Sequence, residues 1–342
     1  VYTVAVSPDG QFAAAGRANQ VFLYHVPTKR EIGRLTDDEI LKQGVYKQPG
    51  VAFMDLVQSL TFSSDSNLLA AGGFRTVKIW QRQQNLKLRD VKNLADVPQS
   101  IAVSADGKQV ALGLNNGSIV LLDPASGQIS KTLTGHQGAV SSVQWAADQS
   151  VLFSAGADKT IRSWNPADGK QQASLETPAA VHAIALVSEG QQIASAGEDK
   201  IIRIWALPGA AVAPKEEKKE EDPAAKDEGP KPVRELAGHG GPVLALVATG
   251  DKQSQLVSAS QDGTVRHWQV ADGKMIRQMA HGAPVTALAV RPDGTRIVST
   301  SDNKTIKLWN AADGKQVVEL KGNFREQLKL ADLDRQVALA KR

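Results

Sequence analysis

The sequence predicts an all-β fold, a seven-bladed β-propeller whose blades are four-stranded antiparallel sheets, and three observations predict it. Short β-type runs recur with turn-rich breaks, most clearly over 135–165, where AVSSVQW, SVLFSA and TIRSW are separated by AADQ and GADK, and KQQASL follows. An aromatic or apolar residue ends each third run, at Tyr24, Trp80, Leu122, Trp164, Trp205, Trp268 and Trp309, with gaps of 56, 42, 42, 41, 63 and 41. Four of these gaps match the roughly 40 to 45 residues of one propeller blade, and the two long ones mark insertions. Asp-Gly-Lys recurs at 168–170, 272–274 and 313–315, between the third and fourth runs, where Asp-Gly supplies the positive-φ turn of a hairpin.

Taken in order, blade one is VYTVAVS, a turn at 8–10, QFAAAG, QVFLY to Tyr24 and KREIGRL to Leu35. The first insertion, 36–55, sits where the outer strand of blade one returns to the inner strand of blade two. Blade two is LVQSLTF, NLLAAGG and TVKIW; blade three is SIAVS, QVALGL, SIVLL and QISKTL; blade four is the 135–165 stretch with its closing run. Blade five runs VHAIALV, QQIASAG, IIRIW and, after a second insertion at 208–232, PVREL. That insertion has almost no large apolar side chain and is expected to be disordered, because it cannot offset its ordering entropy by burial. It reads as a solvated spacer, with a docking segment for another protein as the alternative. Blade six is VLALVAT, QLVSAS, TVRHW, KMIRQM, and blade seven is VTALAV, RIVSTS, TIKLW, KQVVEL.

The propeller is thus expected over 1–320 and a C-terminal helix over 321–342. There Leu330, Leu333, Val337 and Ala340 follow steps of 3, 4 and 3, either an end helix docked on the propeller or the start of a coiled coil. Blades one and seven each read as consecutive strands, so the ring closes by interfacial packing or with residues upstream of Val1. The opening inside a strand pattern reads as an excised fragment.

Bulk composition narrows the function. Forty Lys and Arg against 36 Asp and Glu give a net charge of +4, spread through the chain, which is not a nucleic-acid footprint. There is no run of about 18 apolar residues to span a bilayer. With no cysteine, the chain can form no disulfide, thiolate zinc site or covalent c-type haem attachment. Avoidance of thiols suits an exported protein.

Four residues recur at fixed places: His136, Ser154, Asp158 and Trp164 in blade four, and His239, Ser258, Asp262 and Trp268 in blade six. Their indole and imidazole donors can meet hydroxyl and carboxylate acceptors. A His and an Asp this close invite a catalytic or metal reading. The set recurs in separate blades without a nucleophile or third ligand, so no catalytic residue and no metal site is assigned. The arrangement resembles the WD-repeat β-propeller family over 1–320, and the resemblance implies a hydrogen-bonded line of these side chains across each blade. Blade five keeps Ser195, Asp199 and Trp205, and blade seven has His281, Ser299 and Trp309 with Asn303 in the aspartate place. Blades one to three lack the line, with Phe53 in the histidine place and Phe74 in the aspartate place of blade two. Either apolar packing replaced the hydrogen bonds, or Arg17, Phe53, Phe74, Arg75, Asn115 and Asn116 form a partner surface.

The family resemblance implies a non-enzymatic scaffold for other proteins, with no cofactor. The opening blades, VYTVAVSPDGQFAAAGRANQVFLY and DLVQSLTFSSDSNLLAAGGFRTVKIW, look like bacterial proteins joining a c-type cytochrome domain to a WD-repeat propeller and a coiled coil. This implies the periplasm or cell envelope, with the cytoplasm as alternative, and a cytochrome domain of the same polypeptide as a partner. The competing function is a propeller enzyme or a small-ligand or redox-cofactor domain. It requires ionisable groups converging at the channel mouth, to which the inner strands offer little but His182.

Overall fold

A computed structural model of the chain describes residues 3–27, 29–43, 46, 49–81, 86–207 and 231–321. The expected disordered loop, apart from 231 and 232, and the expected C-terminal helix, apart from Lys321, lie outside the described residues. The described residues form seven four-stranded antiparallel sheets, each built from four consecutive strands. Blade one comprises Thr3–Val6, Phe12–Arg17, Gln20–His25 and Arg30–Arg34; blade four comprises Val140–Trp145, Leu152–Gly156, Thr160–Trp164 and Gln171–Glu176. The innermost strands neighbour one another around a closed ring, with Thr3–Val6 between Ser59–Phe62 of blade two and Val285–Val290 of blade seven. Among the described residues blade seven therefore meets blade one by packing, not through a shared sheet.

The core lies between blades, and one rule builds most of it. The residue ending each third strand covers the third strand of the preceding blade. Trp80 packs with Val21, Trp164 with Leu121, Trp205 with Ile161, Trp268 with Ile202 and Ile204, and Trp309 with Val265. Leu122 does the same for Val77 and Ile79. Each buried indole removes some 150–250 Å² from water, about 4–6 kcal/mol of gross burial at ~25 cal/mol/Å². This explains the period read from the sequence: the tryptophan recurs because every blade needs its neighbour covered. Blade one has Tyr24 at this place. Burial and the nearby Glu31 push its phenol above the ordinary value.

The described residues of the first insertion form a capped helix and a buried stretch. Asp37 caps a five-residue helix, Asp38–Lys42, by accepting the Glu39 N–H at 3.0 Å, and Asp38 and Glu39 lie in the first turn where the helix dipole favours acids. Ile40, Val51, Ala52 and Phe53 are buried, and Ala52 and Phe53 pack with Leu60, Leu69 and Trp80 of blade two.

Two histidines set a pH limit on the fold. His267, on strand Thr264–Gln269, is buried with no hydrogen-bond partner for either ring nitrogen. Burial, then the Arg277 guanidinium, hold its imidazole down to about 4, and burial with Lys307 does the same for His281. Both fold as neutral rings, so their contribution is present above the unfolded value of 6.5 and is lost as pH falls towards 4. Urea unfolding should show each costing about 3 kcal/mol between pH 7 and pH 4. His267→Leu should remove its share of that slope, whereas an unchanged slope would place the titrating group elsewhere.

Candidate interaction site

In blade four the recurring polar residues form one continuous line. Trp164 Nε1 donates to Ser154 Oγ at 2.7 Å, Ser154 Oγ lies 2.8 Å from His136 Nε2, and His136 Nδ1 lies 2.9 Å from both Asp158 oxygens. The indole can only donate, so the serine proton points to Nε2 and the imidazole proton sits on Nδ1, facing the carboxylate. Burial lowers the His136 pKa more than Asp158 raises it, which keeps the ring neutral. Burial pushes Asp158 up, but His136 and the Gln137 N–H outweigh it and hold the carboxylate ionised. Blade six repeats the geometry: Trp268 Nε1 to Ser258 at 2.8 Å, Ser258 to His239 Nε2 at 2.7 Å, and His239 Nδ1 to Asp262 at 2.9 Å. Asp262 is held down to about 2, as Thr264, the Gly240 N–H and His239 outweigh its burial.

Blade seven accommodates its asparagine by turning the ring over. His281 presents Nδ1 to Ser299 at 2.8 Å and Nε2 to Thr305 Oγ1 at 2.7 Å, and Thr305 donates on to Asn303 Oδ1 at 2.6 Å. The uncharged amide thus ends a line extended by one hydroxyl. In blade five, Trp205 donates to Ser195 at 2.8 Å and Asp199 pairs with Arg203 at 2.5 Å, without a histidine. These sets lie in separate blades with their donors and acceptors consumed internally, which is a structural arrangement.

Blade two solves the same place differently. Its strand Leu68–Gly73 carries Ala71 opposite Lys78, where Ser154 stands opposite Arg162, so Trp80 Nε1 is buried without a partner. Phe53 takes the histidine place. It is 2% exposed, its ring centroid 6.2 Å from that of Trp80, and an added Cβ at Gly73 would approach it to 2.4 Å. Phe53 was expected on a partner surface; that is corrected, because its ring is a core element and only glycine at 73 leaves room for it. Beneath it Lys78 is buried, with Nζ 2.5 Å from Asp37 Oδ2, donating to the Ala52 carbonyl at 2.7 Å and lying 4.7 Å from the Phe53 centroid. Apolar packing has replaced the polar line here, together with a buried ion pair that the sequence reading missed. The signal was the basic residue two before Trp80, matched by Arg162, Arg203, Arg266 and Lys307 in other blades.

The remaining surface residues divide by blade. Phe74 is 55% exposed on the turn between the second and third strands, and Arg75 beside it donates from Nε to the Leu94 carbonyl at 3.0 Å. Met54 and Leu56, not anticipated from the sequence, are 51% and 39% exposed next to Phe53. Met54 and Phe74 line one cavity of about 320 Å³ with Ile40, Asp55, Asp90 and Lys92. Asn115 and Asn116 are exposed on the corresponding turn of blade three. There Asn115 Nδ2 donates to Asp96 at 3.4 Å and Asn116 Oδ1 accepts the Ser118 N–H, so the second is a turn cap. Arg17 is half-buried at the end of the second strand of blade one and is not among the residues lining this cavity. Asp37, Glu39 and Asp90 place carboxylate oxygens within 4.8 Å of one another. With Lys78 on Asp37 and Lys92 3.6 Å from Glu39 and Asp90, they form a salt-bridge network. At the centre of the ring, His182 is the sole ionisable residue of the seven innermost strands, with Nε2 2.8 Å from Glu198.

Comparison with known proteins gives a consistent picture. The family model described as WD domain, G-beta repeat matches residues 53–81, 127–165, 169–206, 230–269 and 273–310, more than half of the chain. The unmatched stretches include blade one and most of blade three, which lack the polar line. The chain is 28% identical over 190 residues to the ribosome biogenesis protein YTM1 of Meyerozyma guilliermondii, covering 49% of this chain and 42% of that protein. It is 22% identical over 269 residues to the transcription factor unc-37 of Caenorhabditis elegans, covering 77% and 40%. It is 30% identical over 265 residues to the WDR12 homolog of Chlamydomonas reinhardtii, a ribosome biogenesis protein, covering 67% and 56%. The chain thus spans about half the length of these relatives, or less. All three are eukaryotic, and none is named as a cytochrome fusion. No helix among the described residues is long and apolar enough to cross a membrane.

Proposed function

The chain belongs to the WD domain, G-beta repeat family, and from that premise we propose that it is a non-enzymatic scaffold binding another protein on the rim of blade two. The observation that carries this is the pair Phe74 and Met54, large apolar side chains left in water on the lining of one cavity, with Leu56 exposed two residues after Met54, on the blade where the polar line is replaced. Arg75, exposed beside Phe74, supplies the charged anchor common at binding hot spots. The non-enzymatic part is supported by the inner strands, where His182 is the sole ionisable residue and pairs with Glu198, and by relatives named for ribosome biogenesis and transcription. The periplasmic or cell-envelope setting and a c-type cytochrome domain of the same polypeptide as partner belong to the proposal. They rest on the resemblance of the opening blades. A haem-attachment motif in the adjoining coding sequence would support that setting, and a eukaryotic gene context would remove it.

The test is capture of partners on the immobilised propeller, comparing wild type with Phe74→Ala plus Arg75→Ala. The double variant should fold normally, since Phe74 is exposed, and should lose at least tenfold in partner affinity. Unchanged partners would remove the choice of this rim.

A further inference from the structure

The cavity of about 320 Å³ on the rim of blade two combines exposed apolar side chains with an excess of carboxylates. Phe74 and Met54 are 55% and 51% exposed in its lining, beside buried Ile40 and Phe53. Asp37, Glu39, Asp55 and Asp90 line it against two ammonium groups, those of Lys78 and Lys92, which leaves two negative charges in excess. Lys78 is taken up by Asp37 at 2.5 Å, and Lys92 lies 3.6 Å from both Glu39 and Asp90, one cation between two acids. Asp55 is exposed and its Oδ1 accepts the Leu56 N–H at 2.7 Å; no cation among the described residues lies within ion-pair distance of it. Arg75 is not part of the lining, and its Nε is held by the Leu94 carbonyl.

Resting on the choice of this rim as the partner face, we propose that the cavity seats a basic side chain, an arginine, presented by the partner protein. Charge complementarity favours this occupant. A long basic side chain lays its apolar stem on apolar surface and keeps its charged head hydrated, so the stem would cover Phe74 and Met54 and the head would face Glu39 and Asp55. A purely apolar anchor would instead strip water from those carboxylates and return nothing for it. Blade two already holds one cation in this way: Lys78 Nζ lies 4.7 Å from the Phe53 ring centroid and 2.5 Å from Asp37, an aromatic face and a carboxylate sharing one ammonium. Phe74 with Glu39 and Asp55 offers the same groups to solvent. Arginine suits them better than lysine, because its guanidinium is more weakly hydrated, stacks on an aromatic ring and forks between carboxylates. The volume is about ten times the ~30 Å³ share of one water, room for one such side chain.

Methionine-methyl NMR reads this cavity directly, because the chain has three methionines and the other two lie in blade six: Met275, 46% exposed, and buried Met279. Titrating the full chain with a blocked tripeptide carrying arginine between two glycines should shift the Met54 signal and leave Met275 and Met279 in place. The same tripeptide with glutamate or norleucine at its centre should bind at least tenfold more weakly. Raising salt from ~50 mM to ~500 mM should weaken the arginine tripeptide at least threefold, since the charges involved are solvent-exposed. Glu39→Gln plus Asp55→Asn, at two exposed side chains, should keep the fold and erase the preference for arginine over norleucine. Equal shifts with all three tripeptides, shifts of Met275 as large as those of Met54, or an arginine preference unchanged in that variant would overturn the proposal. So would a Met54 shift that grows with protein concentration alone, which assigns the rim to a second copy. If arginine fails while Phe74→Ala plus Arg75→Ala still loses its partners, the rim stands and the basic anchor falls. If arginine binds while those partners are unchanged, the basic seat stands and the rim falls as the partner face.

Discussion

Replacing Lys78 with methionine should destabilise the propeller by about 3–5 kcal/mol, the cost of removing one partner from a buried ion pair. Asp37 is 2% exposed at its side chain and Lys78 6%, so the carboxylate left behind has little access to water. The Ala52 carbonyl and the Phe53 ring lose the same ammonium. The insertion should loosen first, because Asp37 both holds Lys78 and caps the helix at Asp38–Lys42. Lys78→Met with Asp37→Leu should recover most of the loss, leaving about 1 kcal/mol for the missing cap. A loss below about 1 kcal/mol in the single variant, by urea unfolding, would show that the pair is not buried in solution.

Ser154→Ala should cost about 2–6 kcal/mol. One hydroxyl there accepts from Trp164 and donates to His136, so its loss leaves two buried ring nitrogens unpaired, each at about 1–3 kcal/mol. Blade two offers the reverse experiment. Ala71→Ser would supply the acceptor that Trp80 Nε1 lacks, and should raise stability by about 1 kcal/mol. If Ala71→Ser were neutral while Ser154→Ala were costly, the serine would act through His136 alone.

Much of this fold was legible because its constraint is periodic. The tryptophan spacing and the Asp-Gly turns specify the seven blades, since each blade must cover its neighbour and reverse its chain at the same places. The candidate site was harder to read because it depends on departures from the repeat. Phe53 reads as a surface residue when compared only with His136, whereas Gly73 shows that space was cleared for its ring. Lys78 looks like one more member of the basic series, and its buried partner Asp37 comes from an insertion that has no counterpart in the other blades. Met54 and Leu56 became visible only once the insertion's packing fixed which side of the chain faces solvent. The turned ring of His281 likewise follows from Thr305 and Asn303 together, a pairing no single position announces.

The recurring His, Ser, Asp and Trp residues join strands within blades, and the partner binding proposed for blade two is kept apart from them. The most direct test of this separation measures stability and partner affinity on the same two variants. Ser154→Ala should lose stability and, below its melting temperature, keep its partner; Phe74→Ala plus Arg75→Ala should keep stability and lose its partner. The reverse pattern, or loss of binding in the folded Ser154→Ala protein, would contradict it.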